Sequence, residues 1–159
     1  MKRGTATLKH QKSLIYVMGS VVRPHPFPKM VRDFQAIMGN EIKVQSKVRF
    51  NQHPNYIVAC VGGGYAMGAF TAFLNDPAVK LVGVDPAGLG LDTHQHSATL
   101  TLGKPSQLCG IVCYILDDEH GEPVPVHSIA FGLDYLGLAP HYSFLGDLDR
   151  FQRIVSAER

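Results

Sequence analysis

Three consecutive glycines, Gly62, Gly63 and Gly64, are the residues of this sequence best suited to binding chemistry. They follow an apolar run and precede a segment with helical spacing, so they are predicted to join a strand to a helix. Glycines let a ligand approach the backbone, and the N–H groups and dipole of a helix start favour an anion. A tight turn is the alternative, but a single glycine would satisfy it. The loop therefore predicts an anion site suited to phosphate.

The spacing of these glycines restricts which phosphate ligand they could hold. The sequence contains no GxxxxGK[ST] motif, so a P-loop is excluded. The dinucleotide pattern GxGxxG fits at Gly62 and Gly64, but Met67 takes the place of the third glycine, and Gly68 comes one residue late. Asp85 follows about twenty residues later and would suit a ribose hydroxyl. A small dinucleotide-binding domain therefore remains an alternative.

Cysteines and lysines are the other residues with chemical potential. The three cysteines, Cys60, Cys109 and Cys113, lie in apolar runs, which predicts reduced and buried thiols. Two of them could be combined with histidines into a metal site, namely Cys109 and Cys113 with His94, His96 and His127. The CxxC pair typical of structural zinc is absent, so we predict no metal. Lys80 and Lys104 are interpreted as surface lysines, and no catalytic residue is assigned.

The first half of the chain is predicted to position the glycine loop. Pro24, Pro26 and Pro28 precede an amphipathic helix, which Gly39-Asn40 is expected to stop. The apolar residues that predict this helix are Met30, Val31, Phe34, Ile37 and Met38. Tyr56 to Val61 is predicted to be a strand buried on both faces, as in a parallel sheet. The loop, a helix as far as Leu74 and a second strand from Lys80 to Val84 complete one right-handed βαβ unit.

The second half of the chain is predicted to be mainly β structure. Ser97 to Leu102 and Gly110 to Leu116 are interpreted as strands, followed by a hairpin turn at 117–121. A return strand from Val124 to Phe131 would start at a sheet edge because of two prolines. A short helix is predicted from Leu145 to Ile154.

Composition indicates an ordinary globular chain of 159 residues, which fits one domain. Hydrophobic residues make up 45% and charged residues 18%, and the net charge is +2. The few basic residues near the start are too sparse for a nucleic-acid surface. No apolar run approaches the roughly 20 residues of a membrane helix, so we expect a cytoplasmic protein without membrane contact.

Several blocks of the sequence, in the same order, resemble the tryptophan synthase β-chain family. The blocks are Gly19-Ser20-Val21-Val22-Arg23-Pro24-His25-Pro26-Phe27-Pro28, Val31-Arg32-Asp33-Phe34-Gln35, Val58-Ala59-Cys60-Val61-Gly62-Gly63-Gly64, Leu91-Asp92-Thr93, Ser97-Ala98-Thr99-Leu100-Thr101-Leu102-Gly103-Lys104-Pro105 and His127-Ser128-Ile129-Ala130-Phe131-Gly132-Leu133-Asp134-Tyr135. The resemblance extends from about residue 4 to the end. It implies an α/β chain that forms part of a fold type II, three-layer pyridoxal-phosphate enzyme: a βαβ unit with parallel strands followed by a β-hairpin region. Within a single truncated domain, 1–159, residues 1–50 would be a remnant of the mobile N-terminal portion and 51–159 the cofactor-phosphate portion.

The resemblance also implies an activity and a set of site residues. Enzymes of this family are lyases that use pyridoxal phosphate to join L-serine to indole in the last step of tryptophan biosynthesis, an amino-acid biosynthesis pathway. An α chain, or a full-length β chain, would be the partner. The cofactor-binding positions would be Gly62, Gly63, Gly64, Tyr65 and Gly132. Asp134 matches the aspartate that closes the active site, and Tyr135 lies where main-chain oxygens hold a monovalent cation.

The chain departs from the family at several of these positions. Tyr65 stands in place of the serine and asparagine that complete the phosphate cup. Arg23 replaces a glycine, Leu136 replaces a proline, and His141-Tyr142 replaces Glu-His. The loss of the serine and asparagine donors is expected to weaken the phosphate cup.

Larger parts of the family pattern have no counterpart in the sequence. Only residues 10–15 separate Gly4-Thr5-Ala6-Thr7-Leu8-Lys9 from Tyr16-Val17-Met18-Gly19-Ser20, where the family has a much longer stretch. The Schiff-base lysine, the general-acid glutamate, the substrate-carboxylate loop and the serine of the pyridine nitrogen are missing. We therefore predict an inactive chain when alone, with a non-catalytic phosphate-ligand or subunit-interaction module as the alternative. Self-association is expected because a parallel strand in so short a chain leaves edges and apolar faces exposed.

Overall fold

A computed structural model of the chain describes residues 19–157. The residues 4–9 and 16–18 used in the family comparison, and most of the predicted N-terminal remnant before α1, lie outside the described range. In chain order the elements are α1 Phe27–Phe50, β1 Tyr56–Cys60, α2 Tyr65–Thr71, β2 Lys80–Pro86, a 3-10 turn Leu91–Thr93, α3 Thr99–Leu102, β3 Lys104–Leu108, β4 Ile111–Ile115, α4 Pro140–Asp147 and β5 Phe151–Ser156. The predicted domain boundary at residue 50 coincides with the end of α1, and the division itself stays a prediction.

The centre of the fold is a three-stranded parallel sheet in the order β1-β2-β5. β1 and β2 run parallel with Ile57 beside Leu81, and β2 and β5 run parallel with Leu81 beside Phe151. The predicted strand, glycine loop, helix and parallel strand are therefore confirmed as β1, loop, α2 and β2. The described residues are of the α/β class, and fold type II stays a prediction.

The core lies between one face of this sheet and the helices. Met67 and Phe70 of α2 are buried against Leu81 and Phe151, and Tyr142 of α4 is fully buried beside them. Removing these large apolar side chains from water is the main stabilising contribution. It also fixes the first turn of α2, and therefore the glycine loop, against the sheet.

The prediction that β1 is buried on both faces was wrong. Ile57 and Ala59 are buried, whereas Tyr56 is 51% exposed, Val58 is 59% exposed and Cys60 is also exposed. The apolar run looked like a two-sided strand because both sets of alternating residues are apolar. Among the described residues, helices cover only the face that carries Ile57.

The prediction that α1 stops at Gly39-Asn40 was also wrong, because the helix continues to Phe50. Gly39 lies where α1 crosses α2, and a Cβ atom there would come within 2.7 Å of the Ala69 carbonyl oxygen. On the other helix, a Cβ atom at Gly68 would come within 2.4 Å of the Gln35 carbonyl oxygen. Gly39 is therefore required by close packing between two backbones.

At this crossing, the side of α1 that faces the fold is not the side that carries most of its large apolar residues. The buried residues of the helix are Pro28, Val31, Gly39 and Ser46. Of the apolar residues that predicted the helix, Phe34 is 77% exposed and Ile37 is 57% exposed. The amphipathic pattern was correct for a helix, but Phe34 and Ile37 point away from the fold, whereas Val31 is buried.

Three predictions for the second half need correction. The segment from Ser97 to Leu102 was predicted as a strand but contains the short helix α3. The structure has no strand between Val124 and Phe131, and the antiparallel hairpin is instead β3 with β4. The predicted turn at 117–121 is formed, with the Asp118 side chain accepting the His120 N–H at 2.8 Å.

The predicted terminal helix is two elements. α4 ends at Asp147, and β5 starts at Phe151 and extends the parallel sheet. Between them, the Arg150 guanidinium donates to the Leu74 carbonyl at 2.8 Å and to the Asp76 carbonyl at 2.9 Å. These carbonyls follow α2, so Arg150 joins the end of the chain to the turn before β2.

Candidate functional site

The glycine loop lies at the carboxyl end of β1, where parallel sheets bind ligands. The Val61 N–H donates to the Val84 carbonyl at 3.0 Å just before the loop, and the Gly68 N–H donates to the Gly64 carbonyl at 2.9 Å just after it. The Val21 N–H donates to the Gly63 carbonyl at 2.9 Å, which ties the proline-rich entry to the loop. The loop is thus held at both ends and in the middle.

The carbonyl groups of Gly63 and Gly64 thus accept hydrogen bonds, but the amides of the loop donate none. Among residues 19–157, no hydrogen bond is made by the N–H groups of Gly62, Gly63 or Gly64. The Tyr142 hydroxyl accepts the Met67 N–H at 2.8 Å, so that amide of α2 is already paired. Three adjacent backbone donors remain for a ligand, as an anion site requires.

Two of the glycines are needed because of their surroundings. Gly64 has φ of 143°, and a Cβ atom there would come within 2.8 Å of Val31 Cγ1. A Cβ atom at Gly62 would come within 3.0 Å of Leu133 Cδ2. At Gly63, by contrast, a Cβ atom would meet only Ser20, at 3.7 Å, so this residue borders open space.

A cavity of about 480 Å³ borders the loop. Its lining brings together six of the residues that the sequence indicated: Gly62, Gly63, Asp85, Gly132, Asp134 and Tyr135. Gly64 and Tyr65 do not line it, and together with Gly62, Gly63 and Gly132 they border a second, wider cavity of about 700 Å³. The Tyr65 side chain is 66% exposed and does not fill the smaller cavity.

The segment from Gly132 to Tyr135 forms one wall of the smaller cavity. Its backbone is held by Ser97, whose hydroxyl donates to the Tyr135 carbonyl at 2.8 Å. Leu133 packs against Gly62, whereas Gly132 and Asp134 are both exposed. The two predicted residues therefore lie beside the loop on a segment that packing and a hydrogen bond fix.

Asp85 is a buried acid in the lining of the same cavity. It lies at the end of β2, is 2% exposed, and accepts the Thr101 N–H at 2.7 Å. Burial raises the pKa of Asp85 to about 6, although the hydrogen bonds from Thr101 oppose that shift. The carboxyl group is thus near the loop, as the dinucleotide alternative requires, but one of its oxygens is already bonded.

Arg23 is a cavity residue that sequence reasoning did not assign to the site. It lines the smaller cavity with Gly62 and Gly63. Burial raises the pKa of Tyr135, and the positive charge of Arg23 opposes this rise, so the guanidinium lies near that wall. The available signal was that arginine stands where the similar family has glycine, next to the proline-rich entry.

Neither candidate lysine lies in the smaller cavity. Lys80 is exposed at the start of β2, with its ammonium 5.4 Å from the Tyr56 ring, and Lys104 is exposed at the start of β3. The loop follows the carboxyl end of β1. Lys80 lies at the amino end of the neighbouring strand β2, so it is at the opposite end of the parallel strands from the loop.

The cysteine prediction holds only in part. Cys60 is exposed, which contradicts the expected burial, and Cys109 is half-buried. Cys113 is buried, and burial raises its thiol pKa to about 11.

Within residues 19–157 no three histidine, cysteine or acidic side chains are grouped so that they could hold a metal ion. Of the helices in this range, none is long and apolar enough to cross a bilayer.

Comparison with known proteins connects this geometry to one family. No family model matches the chain. Over 141 residues it is 44% identical to the curated tryptophan synthase beta chain of Nitrosomonas europaea (strain ATCC 19718 / CIP 103999 / KCTC 2705 / NBRC 14298). The match covers 88% of this chain but only 36% of that protein, so the chain spans about a third of the length of its relative. The resemblance to the tryptophan synthase β-chain family is therefore confirmed over most of the residues of this chain.

Proposed function

We propose that this chain, which matches about a third of the length of a tryptophan synthase β chain, holds a phosphate-bearing ligand of the pyridoxal-phosphate type and does not catalyse a reaction on its own. By lineage it belongs to tryptophan biosynthesis in the cytoplasm, among lyases that join L-serine to indole. The observation that carries the proposal is the row of unpaired amides at Gly62, Gly63 and Gly64 beside a cavity lined by Arg23.

The donor set fits a phosphate group. Backbone N–H groups at the end of β1 can donate to its oxygens, and the Arg23 guanidinium supplies a charge near the same cavity. This arginine would compensate for the serine and asparagine donors that Tyr65 replaces. The 66% exposure of Tyr65 supports an open approach to the loop.

The rest of the site supports the proposal that the chain alone does not catalyse a reaction. Pyridoxal phosphate, when bound, supplies an electron sink, and using that sink requires a lysine amine beside the ring. Within the described residues, the lining of the cavity contains no lysine. Gly132 would border the ring, and Asp134 would lie at the exposed rim, where its side chain would help to close the cavity. Binding and positioning are thus the roles left to this chain.

The proposal is tested by titrating the purified protein with pyridoxal phosphate and recording its visible spectrum. We expect saturable binding without an aldimine band, and no labelled lysine by mass spectrometry after borohydride reduction.

Arg23→Gln should weaken binding of pyridoxal phosphate and of inorganic phosphate by about tenfold, since charged hydrogen bonds contribute about 1.5–3 kcal/mol. Arg49→Gln, an exposed change outside the cavity, is the matched control. A borohydride-stable adduct on one lysine, or turnover of serine and indole, would contradict the proposal.

A dinucleotide is the second candidate because Asp85 lines the same cavity as Gly62. For that function NAD should bind saturably and compete with phosphate, and Asp85→Asn should abolish the binding of NAD but not of phosphate. The Thr101 hydrogen bond to Asp85 makes this the weaker candidate.

A tryptophan synthase α chain or a full-length β chain is the proposed protein partner, to be tested by co-purification.

A further inference from the structure

Phe131 is an aromatic side chain that the fold leaves almost entirely in water. It is 99% exposed, whereas the next most exposed large apolar side chain of residues 19–157, Val48, is 80% exposed. Single exposed apolar residues are common on protein surfaces, so exposure alone does not indicate a role. Phe131 differs because it belongs to the lining of the smaller cavity, together with Gly62 and Gly63. The fold thus leaves an uncovered aromatic ring at the rim of the candidate site.

The backbone that carries Phe131 is held in place. The Ala130 carbonyl accepts the Leu133 N–H at 2.8 Å, which is the hydrogen bond of a β-turn with Phe131 and Gly132 as its central residues. Immediately before the turn, the Ser128 hydroxyl accepts the Ala130 N–H at 3.1 Å. The ring can therefore change position by rotation about its side-chain bonds, without movement of the backbone.

The turn lies directly against the glycine loop. A Cβ atom at Gly62 would come within 3.3 Å of the Gly132 carbonyl oxygen, and Gly132 follows Phe131 in the chain. A Cβ atom at Gly132 itself would meet no atom within 4 Å, so the space beside the turn is open. A group attached to a phosphate at the loop can extend into this space, next to the Phe131 ring.

We propose that Phe131 packs on the ring of a ligand whose phosphate is held by the glycine loop, so that the site selects phosphate esters of planar aromatic rings over aliphatic ones. This inference rests on the proposed function, because the loop must hold a phosphate before a ring can lie beside Phe131. Aromatic pairs prefer offset-stacked or edge-to-face contact, which an aliphatic chain cannot provide. The contact also removes apolar surface of Phe131 from water, whereas inorganic phosphate leaves that surface exposed.

The other aromatic residues near the loop are less suited to this role. Tyr65 lines the wider cavity and not the smaller one. Tyr135 lines the smaller cavity, but its ring packs on its own chain, since Tyr135 Cε1 is 3.2 Å from the position of a Cβ atom at Gly137. Of the two aromatic residues in the lining, Phe131 is therefore the one whose ring can move onto a ligand.

Calorimetric titration of the full chain with three ligands tests the proposal. The ligands are pyridoxine 5′-phosphate, which has a ring but no aldehyde for a lysine to attack, glycerol 3-phosphate, which has no ring, and inorganic phosphate. We expect the wild type to bind pyridoxine 5′-phosphate at least about tenfold more tightly than glycerol 3-phosphate. Phe131→Ala should remove most of this preference by weakening the binding of pyridoxine 5′-phosphate alone.

Two further variants separate the ring contact from other effects of the substitution. Phe131→Leu keeps an apolar side chain without a ring and should retain only part of the preference. Phe144→Ala removes a phenylalanine that is 62% exposed on α4 and outside the cavity lining, so this matched control should bind all three ligands as the wild type does. Because Phe131 is almost fully exposed, urea unfolding should give the same midpoint for Phe131→Ala and the wild type.

A direct readout of the contact is possible because the sequence contains no tryptophan. Phe131→Trp introduces a single indole at the rim of the cavity. Pyridoxine 5′-phosphate should reduce the quenching of its fluorescence by acrylamide, whereas inorganic phosphate should not. Phe144→Trp, the control, should be quenched equally with and without either ligand.

The outcomes distinguish this inference from the proposed function. If the wild type binds none of the three ligands, both are overturned. If it binds all three with similar affinity, or if Phe131→Ala weakens all three equally, the loop still holds phosphate but the ring contact at Phe131 is overturned. Unchanged acrylamide quenching of Phe131→Trp at saturating pyridoxine 5′-phosphate would overturn the ring contact as well.

Discussion

At the scale of single residues, the candidate site combines open donors with one buried acid. The amides of the glycine loop are unpaired, whereas the Asp85 carboxyl group is 2% exposed in the same cavity lining. Burial favours the neutral form of this acid, so a phosphate at the loop would meet less negative charge below the raised pKa than above it. The protonation of Asp85 therefore bears on both stability and ligand binding.

Asp85→Asn should change how stability depends on pH. The folded-state pKa of about 6 lies above the unfolded value, so the folded state binds the extra proton, and stability falls as pH rises from about 4 to about 6. That fall should be about 3 kcal/mol and largely absent in the variant, whose side-chain oxygen can still accept the Thr101 N–H.

Urea unfolding at a series of pH values between about 4 and 7 measures this effect. Glu119→Gln, at a surface carboxylate that is 88% exposed, is the control and should retain the wild-type slope. An Asp85→Asn profile parallel to the wild type would contradict the raised pKa.

At the scale of elements, the crossing of α1 and α2 determines how the glycine loop is supported. The two helices approach so closely at Gly39 and Gly68 that their backbones are nearly in contact. Val31 of α1 also packs against the position of Gly64. The start of α2, and the loop before it, therefore rest directly on the first half of α1.

Gly39→Ala should destabilise the fold, although alanine is the better helix former by about 1 kcal/mol. The new Cβ atom would lie 2.7 Å from the Ala69 carbonyl oxygen and 2.8 Å from Ala72 Cβ, and backbone cannot give way cheaply. We expect a net loss of about 1–3 kcal/mol in the free energy of unfolding.

Asn40→Ala, one residue further along and exposed, is the control for Gly39→Ala. It should be neutral or slightly stabilising in the same denaturant titration. If both variants unfold alike, the close crossing is not what keeps Gly39 small.

The sequence predicts the secondary structure around the glycine loop well. It predicts poorly which faces of these elements pack against the rest of the chain. The βαβ unit and its loop follow from apolar runs and glycines, which are properties of neighbouring residues. Which side of α1 faces the fold could not be predicted, because it depends on Gly68 meeting Gln35 from another element. Arg23 was missed for the same reason, since only the fold brings it beside Gly62.

At the scale of the whole molecule, contacts between distant parts of the chain complete the parallel sheet. Arg150 precedes β5 and donates to the carbonyls of Phe73, Leu74 and Asp76, more than seventy residues away. These hydrogen bonds hold the final strand beside β2, although the sequence predicted a helix there. The sheet still leaves the face with Tyr56 and Val58 open.

Arg150→Ala should lower the free energy of unfolding by about 1.5–3 kcal/mol, because it removes charged hydrogen bonds to partly buried carbonyls. Arg150→Lys should recover part of this loss, since an ammonium cannot reach all three carbonyls in the same geometry. Thermal and urea unfolding measure both variants against Arg49→Ala, an exposed arginine on α1. An unchanged midpoint for Arg150→Ala would contradict the role of this contact.

The backbone contact between α1 and α2 has a consequence for communication across the molecule. With no compliant side chain between Gly39 and Gly68, a displacement of the glycine loop is transmitted to α1. A ligand bound at the loop should then also stabilise the crossing of α1 and α2 against unfolding, and a variant that opens the crossing should lower the affinity for the ligand.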